Sequence, residues 1–213
     1  MPIVTIDGPS GTGKSTVTRA LADRFGLPHL DTGAFYRTAT LAVLEAGVDP
    51  NDADSVIEVV SGVEIDQSSG LTYLNGRDVS ERIRDADVTG AVSAVSAHPE
   101  VRRMMVERQR SWVAREGGSA VVEGRDIGSV VFPDADVKIY LDARPEVRAR
   151  RRALERGQDP DTVAADMERR DRYDSTRAVS PLTIPDGAVV IDTSDLGFEE
   201  VVEAVSRLVA AKS

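Results

Sequence analysis

The chain has 213 residues, 41% hydrophobic and 29% charged, with no cysteine and a formal net charge of −10. That length admits one large domain or two small ones, and the missing thiols exclude disulfides, thiolate metal sites and a cysteine nucleophile. The acidic balance argues against a nucleic-acid partner, no apolar run approaches the roughly eighteen residues of a membrane span, and a start without a charged leader predicts a cytoplasmic protein.

Taken in chain order, Ile3–Asp7 reads as a short apolar strand, and it runs directly into Gly8-Pro9-Ser10-Gly11-Thr12-Gly13-Lys14-Ser15-Thr16. The spacing Gly8, four residues, Gly13, Lys14, Ser15 is that of a phosphate-cradling loop, in which backbone N–H groups surround an anion. Thr16–Phe25 carries helical spacing at Val17, Ala20, Leu21 and Phe25, with Gly26 as its C-cap, so the loop opens a helix as this reading requires. His29–Asp31 supplies a further short strand. From about residue 47 to 89 the character changes, and "VEIDQSSGLTYLNGRDV" alternates around Ser-Ser-Gly and Asn-Gly turn signals, which predicts a small antiparallel insert. Pro99–Arg115, Pro145–Arg156 and Pro160–Tyr173 read as helices, the last two separated by "RGQDP". Ala120–Glu123, Val137–Asp142 and Ala188–Asp192 read as strands.

Short apolar strands alternating with helices predict a parallel sheet covered on both faces. Ligands of such sheets gather at the carboxyl ends of the strands, where Asp7, Asp31, Glu123, Asp142 and Asp192 lie. In the loop, the following helix turns its positive end to the anion, Lys14 bridges the outer phosphates and Ser15 can ligate Mg²⁺. Lysine occurs only at Lys14, Lys138 and Lys212, so the other basic residues are arginines, whose planar forks suit phosphate. Arg37, Arg125, Arg170 and Arg177 stand in or beside "DTGAFYR", "EGRDIGSVVFPDA" and "DRYDSTRAVSPL". An acceptor that is itself a phosphate is already anionic and needs no general base. The two histidines, His29 and His98, accordingly read as structural.

Together these segments resemble the bacterial cytidylate kinase family, from Ile3 to the last helix. The resemblance implies a doubly wound parallel five-stranded sheet of the P-loop kinase type with a small antiparallel β insert and a short helical lid. One domain is expected, with core 1–46 and 90–213, insert about 47–89 and lid about 148–160. It implies transfer of the γ-phosphoryl group of ATP to CMP or dCMP with Mg²⁺, by a monomer. Gly8 to Thr16 would hold the donor phosphates and Ser15 the metal. Thr32, Tyr36, Arg37, Ser93, Arg102, Arg125, Asp126, Arg170, Asp174 and Arg177 would bind the acceptor, and Arg148, Arg151 and Arg152 would serve with Lys14 and Arg125 in catalysis. Asp126 is the candidate acceptor for the exocyclic amino group that separates cytosine from uracil. The chain departs from the family pattern at Glu123, where the family more often has Asp, and at Thr176, where it often has Asn. A P-loop kinase of another acceptor, such as UMP or shikimate, is the enzyme alternative. A nucleotide-hydrolysing regulatory module is the other, although no Asn-Lys-x-Asp guanine signal occurs.

Overall fold

The computed structural model describes residues 2–157, 159–176 and 179–212, with the side chains of 156, 160 and 170 outside the description. In chain order the first elements are β1 (Ile3–Asp7), α1 (Lys14–Phe25), β2 (His29–Asp31), α2 (Thr32–Glu45) and α3 (Ala53–Ser61). Then come β3 (Ile65–Ser68), β4 (Leu71–Leu74), β5 (Arg77–Asp78), α4 (Ala86–Val95) and α5 (Pro99–Arg115). The chain closes with β6 (Ala120–Glu123), β7 (Val137–Asp142), α6 (Pro145–Arg156), α7 (Pro160–Thr176), β8 (Val189–Asp192) and α8 (Phe198–Ala210). Two compact units result, one of Met1–His29 with Glu116–Ser213 and one of Leu30–Arg115.

The five-stranded sheet has the order β2-β6-β1-β7-β8, and β1–β6, β1–β7 and β7–β8 pair in parallel. Ile6 registers with Glu123 of β6 on one side and Ile139 of β7 on the other, and Asp7 registers with Tyr140, so the acidic strand ends come together at one edge. Val4, Ile6, Val121, Ile139 and Leu141 are fully buried among Val17 and Leu21 of α1 and Val201, Val205 and Val209 of α8. Each such side chain removed from water contributes about 1.5–3 kcal/mol, which is why the central strands read as mainly apolar runs, interrupted by Thr5 in β1 and Lys138 in β7. β8 differs from that expectation. It is the edge strand, with Val190 half exposed, because it has a neighbour on one side only. α6 and α7 pack on each other through Ala149, Ala153, Val163 and Met167.

In the second unit, β3, β4 and β5 form an antiparallel sheet. Its two hairpin loops, Ser69-Gly70 and Asn75-Gly76, have φ of 53° and 77°, and 50° and 77°. Both central residues therefore occupy the left-handed region that tight two-residue hairpins demand. Ala34, Leu41, Leu74, Val79, Ile83 and Val88 form the core under this sheet. The same stretch also holds α3, which the strand reading passed over: its large apolar residues, Val56, Ile57, Val59 and Val60, are all β-branched and read as readily as strand. Among the described residues, no helix is long and apolar enough to cross a membrane.

Candidate active site

The glycine loop is shaped by two close backbone approaches. Gly8 has φ 141°, and a Cβ there would stand 2.0 Å from the Leu141 carbonyl oxygen of β7. Gly11 has φ 78° and its Cβ position meets the Arg148 carbonyl oxygen at 2.8 Å. Gly13 caps α1 at φ 91°, with its carbonyl accepting from the amides of Thr16 and Val17 at 3.2 and 3.1 Å. The amides at the start of α1 thus point into the loop, where an anion is stabilised by the helix end. Within the loop, Thr12 Oγ1 donates to the Pro9 carbonyl at 3.2 Å, and Lys14 Nζ donates to the Gly8 and Pro9 carbonyls at 2.7 and 2.6 Å. Burial, and after it the neighbouring Arg125, push the Lys14 ammonium well below its ordinary value, while Glu123, Asp7 and Asp171 act the other way. The loop lysine and the "EGRD" arginine therefore share one electrostatic neighbourhood.

Glu123, at the end of β6, faces the loop. Its carboxylate accepts from Ser15 Oγ at 2.7 Å and Thr18 Oγ1 at 3.2 Å, and lies 3.1 Å from His29 Nε2. The extra methylene relative to aspartate lets it reach all three. His29 thus lies against the Glu123 carboxylate, and His98 contacts the Pro50 carbonyl at 2.8 Å. Among the described residues, no group of three or more His, Asp or Glu side chains could hold a metal ion by itself. Beyond Glu123, Arg125 Nε donates to Asp174 Oδ2 at 3.2 Å, which joins two residues predicted from separate segments. Asp126 is buried. The chain then makes a π-helical turn, Ile127–Val131, whose first two amides donate to the Asp7 carboxylate at 2.9 and 2.8 Å.

The three arginines of α6 separate. Arg148 is buried; its Nε donates to the Ala143 carbonyl at 3.0 Å, and its NH1 to the Ser10 carbonyl at 3.2 Å and to Asp171 of α7. Arg151 is held by Thr193, through Oγ1 at 3.0 Å and the carbonyl at 2.6 Å. Arg152 pairs with Glu155 one turn on, at 2.8 Å. Of the three, Arg148 reaches the phosphate loop, because it is on the helix face that looks at Ser10. The Arg170 side chain and all of Arg177 lie outside the described residues. Asp171 was not anticipated from sequence. Its signal was its spacing from Asp174, one helical turn away on the same face.

In the second unit, Asp31 caps α2 by accepting from the Ala34 amide at 2.9 Å and binds Arg37 NH2 at 2.9 Å. Gly33 makes room for that fold-back, since a Cβ there would stand 3.1 Å from both Arg37 NH1 and Asp31 Oδ1. Thr32 is buried at the start of α2. Arg102 lies over the Tyr36 ring, 5.2 Å from its centroid, and its NH1 donates to the Ser96 carbonyl at 3.4 Å. Ser96 Oγ in turn donates to the Ser93 carbonyl at 3.2 Å. Tyr36, Ser93 and Arg102, distant in sequence, thus lie along one short chain of contacts. A support missed from sequence is Gln67 of β3, whose Oε1 accepts from the Asp31 amide at 3.0 Å and whose Nε2 donates to the Asp31 carbonyl at 2.7 Å. Trp112 Nε1 holds the Gln67 carbonyl at 2.8 Å.

Comparison with known proteins agrees with this geometry. A family model described as cytidylate kinase matches residues 4–211. The cytidylate kinase of Rhodococcus opacus (strain B4) is 52% identical over 220 residues, covering 99% of this chain and 96% of that protein. That of Mycobacterium leprae (strain Br4923) is 52% identical over 216 residues, with 99% and 96% covered. Among solved structures, a gluconokinase from Sinorhizobium meliloti 1021 shares the fold at a TM-score of 0.51 and 16% identity, covering 99% of this chain and 92% of that one. With the match running from β1 to the end of α8, through the loop and every segment that carries a buried arginine or carboxylate at the strand ends, the chain belongs to the cytidylate kinase family.

Proposed function

We propose that the chain transfers the γ-phosphoryl group of ATP to CMP or dCMP, releasing ADP and the corresponding diphosphate. The observation that carries the reading is family membership over residues 4–211, on a chain whose glycine loop opens α1 with its amides turned inward. The loop from Gly8 to Thr16 holds the donor phosphates and Lys14 spans the outer ones. Ser15 Oγ and the Glu123 carboxylate, 2.7 Å apart, are hard oxygen donors of the kind Mg²⁺ takes, and Ser15 is its protein ligand. When bound, Mg²⁺ neutralises charge on the donor phosphates.

The acceptor phosphate is an anion and attacks without a base, so the protein supplies position and positive charge. Arg125, held by Asp174, and Arg37, held by Asp31, each keep guanidinium donors for phosphate oxygens after pairing with one carboxylate, and Arg170 and Arg177 add to them. Thr32 and Tyr36 contact the acceptor nucleotide from α2. Asp126, Ser93 and Arg102 read the base, with the Asp126 carboxylate accepting from the cytosine amino group. Residues 148–160 act as a lid that excludes water, with Arg148 closest in role to the transferring group and Arg151 and Arg152 supporting it. We read the protein as a cytoplasmic monomer with no nucleic-acid partner, which gel filtration at working concentration tests in part.

A coupled ADP-release assay across CMP, dCMP, UMP, AMP and shikimate decides the reaction. Turnover that depends on CMP is expected, and steady ATP hydrolysis indifferent to CMP overturns it. Arg125→Ala removes a charge-assisted contact to the acceptor and is expected to lower kcat/KM for CMP by about a hundredfold with circular dichroism unchanged.

A further inference from the structure

Asp7 is the last residue of β1, is fully buried, and has no part in the phosphate loop's own hydrogen bonding. Its two carboxylate oxygens are spent on two consecutive backbone amides 120 residues away, Ile127 N at 2.9 Å on Oδ1 and Gly128 N at 2.8 Å on Oδ2. Those amides open the π-helical turn that follows Glu123-Gly124-Arg125-Asp126. The turn is also flush against β1: a Cβ on Gly128 would meet Thr5 Oγ1 at 2.8 Å, and Thr5 is on the same face of the strand as Asp7. The segment between β6 and the turn is therefore pinned at both ends, by sheet pairing at Glu123 and by one carboxylate at Ile127 and Gly128. Gly124, Arg125 and Asp126 are the three residues between those pins.

We propose that Asp7 is a positioning residue for acceptor recognition: by gripping the Ile127 and Gly128 amides it fixes where Arg125 and Asp126 stand, and so sets the preference for cytosine over uracil. The proposal rests on the reading of Arg125 and Asp126 as acceptor contacts. Two N–H donors require two acceptor oxygens, which an ionised carboxylate supplies and which an amide or a protonated carboxyl does not, since each turns one donor toward a donor. The charged and titratable groups that face Asp7 are Lys14 of α1, Asp126 of the segment itself, and the Tyr140 phenol of β7.

The test measures kcat/KM for CMP and for UMP at saturating ATP, on the full chain, for wild type, Asp7→Asn and Asp126→Asn. Both acceptors carry the same phosphate, so its ionisation cancels in the CMP to UMP ratio. Asp7→Asn is expected to lower that ratio about tenfold while KM for ATP stays within about twofold. A variant that slows both acceptors alike, or that raises KM for ATP with the ratio unchanged, has a merely structural Asp7 and overturns the proposal. If Asp126→Asn leaves the ratio intact, the acceptor reading itself has failed; if Asp126→Asn lowers it and Asp7→Asn does not, only the positioning role is lost.

Should Asp7→Asn not fold, the wild type decides. The amide resonances of Ile127 and Gly128 are followed against pH through about 6, where Asp7 titrates, beside the CMP to UMP ratio. The Ile127 and Gly128 amides of the Asp126→Asn variant are followed over the same range, so that their midpoint belongs to Asp7 and not to the neighbouring carboxylate. The ratio is expected to fall with the same midpoint as the amides, and a flat ratio across their titration overturns the proposal.

Discussion

The thermodynamic counterpart of that clamp is a stability trade that the Asp7→Asn substitution exposes. Burial raises the Asp7 carboxyl from 3.8 to about 6, against the two amide bonds and Lys14, which lower it. The folded protein therefore holds this proton to higher pH than the unfolded chain does, so its contribution is fully favourable at low pH and is lost as pH rises from about 4 through about 6. Two units and a little more correspond to about 3 kcal/mol of ionisation cost at neutral pH, of which about 2 kcal/mol develops between roughly pH 4 and pH 7. An asparagine resembles the protonated carboxyl in shape and hydrogen bonding and does not titrate. Asp7→Asn is therefore expected to match wild type within about 1 kcal/mol near pH 4 and to exceed it by about 2–3 kcal/mol at pH 7. Urea unfolding of both proteins at several pH values and constant ionic strength measures the difference, in which the titration of the other carboxylates cancels. A difference that does not change with pH, or that moves against the variant as pH rises, refutes the reasoning, since it would place the Asp7 carboxyl at its ordinary value in the fold.

Two further predictions concern backbone geometry and support. Gly8→Ala drives a Cβ to 2.0 Å from the Leu141 carbonyl at φ 141°, so a loss of at least about 4 kcal/mol is expected in urea unfolding; Gly13→Ala, at φ 91° but facing open space, should cost only about 1 kcal/mol, and equal effects would contradict the close approach. Gln67→Ala removes both hydrogen bonds to the Asp31 backbone and is expected to destabilise by about 2 kcal/mol, whereas Gln67→Glu at neutral pH turns a charged acceptor oxygen toward the Asp31 carbonyl at a buried position and should cost at least as much.

What sequence could reveal follows the physics of each element. β1, β6 and β7 are buried over most of their length, so each left a short, mainly apolar run, and the loop glycines share a positive φ, with Gly8 also in near-contact with β7. The two hairpins were equally legible, because Ser-Gly and Asn-Gly are what left-handed turn positions select. α3 was hidden because its large apolar residues are all β-branched, and the π-helical turn after Asp126 has no sequence pattern: its first two amides are held by the Asp7 carboxylate. Contacts of that kind, like Gln67 on Asp31 or Asp171 on Arg148, join a side chain to a distant backbone or helix. No local propensity encodes them, whereas the residues they support sit inside motifs that spacing and resemblance could single out.

Three of the arginines assigned to phosphate share one arrangement. Arg37 is bound by Asp31, Arg125 by Asp174 and Arg148 by Asp171, and none of these arginines is more than about a fifth exposed. A guanidinium carries five N–H donors in a plane, so a carboxylate can hold one edge of Arg37 or Arg125 and leave further donors for phosphate oxygens, while Arg148, which also donates to the Ala143 and Ser10 carbonyls, keeps its NH2 group. A lysine ammonium held the same way would swing as a point charge on a flexible stem and lose its direction. The aspartate partners cost some positive potential, but they fix the rotamer beforehand, and catalysis by positioning depends on that orientation being set before the substrate arrives. The preference for arginine that the composition shows as a bare count is, at these three positions, what the geometry of a paired yet still donating cation requires.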